Sequence, residues 1–262
     1  MYKFVDFGKR DRFSSSPMSI QTIYNGHNLD DELTDSTGSF RTLVVQGRGG
    51  LNREIRSKDI SGMDGYLEYG FRYPPREIRV KYIIKDRTNE GFRRRLNQLN
   101  EILIESKAQL EFTDEDYYFT ATATDGGDID DTSNMAVAWI TFNCADPFKY
   151  SKALIRQPIT TSYRTLDILG SREPEWEFVT TISTSASAVS ITHLGGREVI
   201  VEGPFSAGQT VAIDSATRRV YIDGVPATNK LYLQSEFFQL GLGKFTLKAS
   251  HTGILYYRER RV

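Results

Sequence analysis

Only one stretch of this 262-residue chain carries a helical period, and it stands among strand-length runs. In "TNEGFRRRLNQLNEILIES" (88–106) Phe92, Leu96, Leu99 and Leu103 recur at spacings of four, three and four, and Thr88 stands where an N-cap belongs. The spacing predicts a helix over about 88–106 with an apolar stripe one face wide. Such a helix lies against a sheet and leaves Arg93, Arg94, Arg95 and Glu101 in water. The triple arginine reads as that solvated face or as a contact for an acidic surface on a neighbouring chain. Around it, "FRTLVVQG" (40–47), "REIRVKYIIK" (76–85), "YYFTATATD" (117–125) and "MAVAWITFNC" (135–144) are rich in β-branched and aromatic residues and bounded by turn formers. The first half is therefore expected to be a sheet with one helix on a face.

Beyond Tyr150 the texture changes. Strand-length runs "VSITHL", "EVIVEG", "TVAID", "RRVYID", "FTLKAS" and "ILYYRER" follow, punctuated by Gly195-Gly196, Gly208, Asp214-Ser215 and Asp223-Gly224. Regular turn signals without a helical period predict a compact β-sandwich. The expected fold class is thus mainly β: an α+β domain over 1–150 followed by an all-β domain over 151–262. Asp146-Pro147 closes the last strand of the first.

Composition excludes several functions. With 33 basic and 34 acidic residues the net charge is −1, so no long-range field concentrates nucleic acid or anionic lipid. No segment reaches the roughly 20 apolar residues of a membrane span, and "MYKFVDFGKRDRF" lacks the apolar run of a signal peptide. Synthesis in a cytoplasm without membrane insertion is the expectation. Cys144 is the single cysteine, which rules out an intrachain disulfide and a four-cysteine zinc site. It reads as a small hydrophobe near the end of a buried strand.

The search for chemistry yields no constellation. His27, His193 and His251 are far apart, and no G-x-S-x-G elbow, P-loop or strand-linked G-x-G-x-x-G occurs. Gly241-Leu242-Gly243 reads as a turn. "DGGDIDD" (125–131) offers Asp125, Asp128, Asp130 and Asp131 but lacks the EF-hand order, so it is a polar connection first and a weak cation site second. Asp114 and Asp116 read as the turn from helix to strand, because an acid and a base must face each other across a substrate. No catalytic residue, metal or cofactor is expected. An aromatic-rich sandwich can bind carbohydrate, and Trp176, Tyr221, Tyr232, Tyr256 and Tyr257 are the rings available. Alternation equally offers them core or sheet-face positions.

Taken in order, "SGMDGYLEYGFRYPPREIRVKYIIK" (61–85), the helix, "LEFTDEDYYFTATATD" (110–125) and "WITFNCADPFKYS" (139–151) resemble the first domain of the distal tail proteins of siphophages infecting Gram-positive bacteria. The Asp146-Pro147-Phe148 corner matches the family's domain closure. "VAIDSATRRVYIDG" (211–224) and "FFQLGLGKFTLKAS" (237–250) resemble the family's galectin-like β-sandwich, with Gly241-Leu242-Gly243 where relatives often carry a Pro-Gly-Asn type turn. Residues 1–20 match least. The resemblance implies a ring-forming first domain of sheet or split-barrel type with one helix, and a galectin-like second domain.

It also implies structural work at the virion tail tip. Six copies close a ring that meets the tail-tube protein on one face and the tail-associated hub protein on the other. The genome passes through the hole, and the second domains carry receptor-binding proteins or touch cell-surface glycan. A closed head-to-tail ring needs two unlike complementary patches on each subunit. The candidates are Arg48, Arg53, Arg56 and Lys58, Tyr69, Phe71 and Tyr73, and the helix residues Arg93, Arg94 and Arg95, with local packing as the competing reading. A neutral balance suits a lumen that must not hold phosphate by counterion release. A carbohydrate-binding protein and a hydrolase with an unrecognised site are the other classes.

Overall fold

A computed structural model describes residues 20–50, 52–127, 129 and 133–262. The chain forms two units: the first runs to Glu115 and resumes over Thr120–Asp146, and the second takes Asp116–Phe119 and Pro147–Val262.

The first unit begins with β1 (Thr22–Tyr24), β2 (His27–Asn28), the one-turn helix α1 (Leu29–Glu32) and β3 (Gly38–Gln46). A two-stranded arm follows, β4 (Glu54–Lys58) and β5 (Leu67–Arg72). Then come β6 (Arg76–Asp86), helix α2 (Asn89–Leu103), β7 (Ala108–Phe112), β8 (Tyr117–Asp125) and β9 (Met135–Cys144). Its main sheet has the order β2-β1-β7-β8-β9-β6-β3, while β4 and β5 pair only with each other. β6 shows why the sheet forms. Ile78, Val80, Tyr82 and Ile84 point inward and the residues between them point outward, the period-2 pattern of a half-buried strand. β9 answers with Ala136, Ala138, Ile140, Phe142 and Cys144 on the same side. The thiol of Cys144 is fully buried, and that burial pushes its pKa up to about 12.

The edge strand β3 is latched to β1, which stands next to the opposite edge of the sheet. Thr22 of β1 and Thr42 of β3 meet through their hydroxyls at 2.9 Å. Between them sits the carboxylate of Asp30, which accepts the Thr42 N–H at 2.7 Å, the Thr42 hydroxyl at 2.7 Å and the Thr22 N–H at 3.1 Å. A shift in the β3–β6 register between Thr42 and Val44 marks a bulge at this point, and bulges turn ladder groups elsewhere. Asp30→Ala is expected to cost about 2–3 kcal/mol, because it strands two buried amide donors. Urea unfolding of wild type and variant reads the difference.

Helix α2 lies where its period put it and starts at the Thr88 cap, whose hydroxyl accepts the Gly91 N–H at 3.0 Å. It ends at Leu103, a turn short of the expected limit, and packs on β6. One sequence expectation fails here: Arg95 is only 2% exposed. It lies three residues after Phe92 and four before Leu99, inside the apolar stripe, and the polarity of its side chain hid the phase of its position. The guanidinium satisfies itself against Asp86 (Nε–Oδ2 2.9 Å), the Leu33 carbonyl (2.7 Å), Thr37 (3.0 Å) and Asp35. Gly38 and Gly91 leave it room. A Cβ on Gly38 would come within 2.6 Å of the Arg95 Nε, and one on Gly91 within 2.3 Å of an Asp86 carboxylate oxygen. Arg93 and Arg94 stay exposed.

The second unit opens with β10 (Lys149–Ser151), β11 (Ile155–Ile159), β12 (Arg164–Ile168), β13 (Trp176–Thr181), β14 (Ala186–His193) and β15 (Glu198–Phe205). After these come β16 (Thr210–Asp214), β17 (Arg219–Ile222), β18 (Val225–Pro226), a 3₁₀ turn at Thr228–Lys230, β19 (Gly243–Ala249), β20 (Gly253–Tyr257) and β21 (Arg260–Arg261). Two sheets result, six strands in the order β11-β20-β13-β16-β17-β18 and four in the order β12-β19-β14-β15. Phe178, Val211, Ile213 and Leu255 from the first meet Val189, Ile191, Val199 and Leu247 from the second in one core, the packing of a β-sandwich. The chain is mainly β in both units, as the sequence indicated.

Candidate assembly surfaces

The β4–β5 arm concentrates most of the residues singled out for ring contacts. Its register pairs Ile55 with Phe71 and Arg56 with Gly70, then slips so that Ser57 faces Glu68. Tyr69 is the extra residue in that slip and stands 67% exposed. The neighbouring Gly70 has φ +155°, a conformation that favours glycine. Every residue of β4 is exposed, and β5 is nearly as open. Ile55, Met63, Tyr66, Leu67, Tyr69 and Phe71 all offer apolar surface to solvent. The arm carries little internal support. Arg53 sits over the rings of Phe71 (4.7 Å) and Tyr73 (5.6 Å), which meet edge to face at 5.4 Å, and Arg72 pairs with Glu54. A lone two-stranded hairpin is at best marginally stable in water, and large exposed apolar patches are the usual mark of interaction surfaces.

Arg53, Arg56, Lys58, Tyr69, Phe71 and Tyr73 thus share one arm or its flanks. Arg48 does not join them. Its guanidinium grips both oxygens of Asp114 at 2.7 and 2.9 Å and lies 4.5 Å above the Phe112 ring. Sequence reading missed Ile55, Met63, Tyr66 and Leu67. The signal was present, since "REIRSK" and "YLEYGF" flank a stretch holding Gly62 and Gly65, each at φ above +80°, the chemistry of a hairpin connection.

The carbohydrate candidates divide. Trp176 and Tyr257 are 2% and 4% exposed, and the indole N–H of Trp176 donates to the Phe238 carbonyl at 2.7 Å. Both are core residues, so neither presents a ring face to a sugar. Their phase on β13 and β20 points them between the sheets. Tyr221 and Tyr256 lie on the outer face of the six-stranded sheet, on β17 and β20. Tyr232 is elsewhere, its N–H bonded to the Ile200 carbonyl of β15.

Several of the titratable groups weighed as chemistry have local partners. Asp114 is held by Arg48. Asp125 accepts the Gly127 N–H at 2.9 Å, while Asp128, Asp130 and Asp131 lie outside the described residues. His27 pairs with Glu32 at 2.9 Å, and His251 meets the Ser250 hydroxyl. His193 stacks on Phe245 at 4.3 Å, and burial with Arg197 nearby lowers its pKa. Among the described residues no three His, Cys, Asp or Glu side chains gather to hold a metal ion.

A sheet unit carrying the long helix α2 and an exposed arm, followed by a sandwich, is matched by two family models. "Phage tail protein RIFT-related domain" matches residues 27–144, and "Siphovirus-type tail component, C-terminal domain" matches 169–260. The distal tail protein of Bacillus phage SPP1 is 29% identical over 249 residues, 91% of this chain and 94% of that protein. The crystal structure of SPP1 Dit, described as a paradigm of the hub adsorption apparatus in phages infecting Gram-positive bacteria, superposes with a TM-score of 0.81 at 23% identity. That match covers 93% of this chain and 99% of the solved one. A chain of the phage p2 baseplate in its activated conformation with Ca shares the fold at a TM-score of 0.55 and 10% identity, covering 92% and 98%. Fold and matches define a siphovirus-type tail component of the virion. The chain belongs to the distal tail protein family of siphophages.

Proposed function

We propose that six copies of this chain close a ring at the tail tip and that the exposed β4–β5 arm makes the contact between neighbours. The arm carries the reading: its apolar residues lie in water, and a hairpin with so few ties gains most by docking onto a partner. A head-to-tail contact between two unlike patches closes into a ring when the rotation per subunit divides the circle. The receiving patch in this reading includes the exposed side of α2, with Arg93 and Arg94. The domain that builds the ring spans about 1–150, and a galectin-like domain spans 151–262. One ring face meets the tail-tube protein and the other the tail-associated hub protein, while the second domains form a platform for receptor-binding or baseplate proteins.

The balanced charge of 33 basic and 34 acidic residues supports this reading twice. Subunits of net charge −1 assemble with little mutual repulsion, and a lumen without a strong positive field lets a genome slide through. The role is structural and not catalytic, in keeping with relatives named as tail components. Light scattering and negative-stain electron microscopy of the purified chain, alone and with tail-tube protein, test it. Sixfold annuli are expected. A monomer that persists with both tail neighbours present overturns the ring.

A further inference from the structure

The registers of the second unit set five polar or aromatic residues side by side across the outer face of its six-stranded sheet. Arg156 of β11 faces Tyr256 of β20, which faces Glu177 of β13, which faces Asp214 of β16, which faces Arg219 of β17. Two carboxylates directly opposite each other destabilise a sheet. Asp214 is occupied, since it accepts the Ala216 N–H at 2.9 Å and the Thr217 hydroxyl at 2.6 Å. Among the described residues no hydrogen bond or ion pair engages the Glu177 carboxylate. Partial desolvation, with Asp214 beside it, raises its pKa.

Next to this row a cleft of about 250 Å³ opens. Tyr118, Tyr150, Leu154, Tyr256, Glu177 and Asp214 are among the residues that line it, beside the buried Trp176 and Tyr257. Tyr118 and Tyr150 stack at 5.8 Å. The volume falls below the about 300–1,000 Å³ of sites for drug-sized ligands, so it suits a single ring.

We propose that this cleft binds one ring of a neutral saccharide, packed on Tyr256 and held through its hydroxyls by Glu177. The rim carries charge of both signs, which favours a neutral guest over a charged one. Guanidinium groups already lie over the aromatic walls, Arg156 at 5.6 Å from the Tyr256 ring and Arg258 at 5.6 Å from Tyr118, and they oppose a cationic guest. Glu177 and Asp214 oppose an anionic one. A neutral polyol can donate to a carboxylate and accept from a guanidinium at once, and the apolar face of a sugar ring covers an aromatic side chain. This site is independent of the ring proposed above and uses neither Trp176 nor Tyr257 as a platform.

Microcalorimetry on the full chain tests it, with galactose and N-acetylglucosamine as neutral probes, arginine methyl ester as the cationic probe and inorganic phosphate as the anionic one. Millimolar binding of at least one sugar is expected. Tyr256→Ala should weaken it tenfold or more, Tyr256→Phe should retain most of it, and Glu177→Gln should weaken it several-fold. Tyr221→Ala, on the same face but outside the cleft, should leave it unchanged. The assignment is overturned by saccharide binding that survives Tyr256→Ala, by the absence of binding for both sugars, or by tighter binding of the arginine ester or phosphate. Ring formation measured on the same samples keeps a failure here separate from a failure of assembly.

Discussion

Arg95→Ala should cost the first unit about 3–5 kcal/mol, since it leaves the buried Asp86 carboxylate without its cation. Urea unfolding followed by the emission of Trp139, which lies in β9 of that unit, measures the loss. Arg94→Ala, one residue earlier, is the control. Its nearest carboxylate is Asp35 at 3.8 Å, both side chains are about half exposed, and exposed pairs contribute 0–1 kcal/mol. Equal losses from the two variants would contradict the burial assigned to Arg95.

The same network sets an acid limit. Hydrogen bonds from the Thr37 hydroxyl and backbone, followed by Arg95, hold the Asp35 carboxyl well below the usual range. The Thr88 backbone N–H, followed by Arg95, lowers that of Asp86. A carboxyl lowered on folding lends stability that is complete above its unfolded pKa of about 4 and is lost as pH falls through the lowered value. Wild type is therefore expected to lose stability below about pH 4. Arg95→Ala should flatten that slope without abolishing it, because Thr37 and Thr88 still donate.

Charging the arm should abolish assembly and leave the fold intact. Tyr69→Glu with Phe71→Glu places two carboxylates on a surface proposed to be buried between copies, where each must be desolvated. The expected result is a folded monomer, with at least a tenfold fall in ring content by light scattering and an unchanged circular dichroism spectrum. Tyr232→Glu, in the second unit, should assemble like wild type. Intact rings from the doubly charged arm would move the contact elsewhere on the molecule.

The helix, the four strands around it and the sandwich runs were readable because each obeys one period over enough residues. Val211 and Ile213 announce β16 by alternation, and Thr88 announces the start of α2. Where two signals conflict, the reading failed. Arg95 has the chemistry of the surface and the phase of the core, and only the stripe formed by Phe92 and Leu99 could have resolved it. Trp176 and Tyr257 belong to strands that were legible, but which face is inward depends on the partner sheet, which a local window does not contain. β11 carries Pro158 in the run "IRQPI", and proline argues against a strand except at an edge; β11 is the edge of its sheet. α1 has four residues, too few for any period. The arm went unrecognised as a hairpin because neither of its faces is buried, so no alternation set it apart.

The Asp30 latch carries a consequence for how copies can meet. Open sheet borders invite any passing strand, and polymers grown that way have no fixed length. Here a carboxylate fastens the edge strand β3 to β1 through Thr22 and Thr42, which discourages ribbon-to-ribbon growth along β3. In the proposed ring, self-recognition falls to the arm, whose angle of approach would set how many subunits fit before the chain of contacts meets its own beginning.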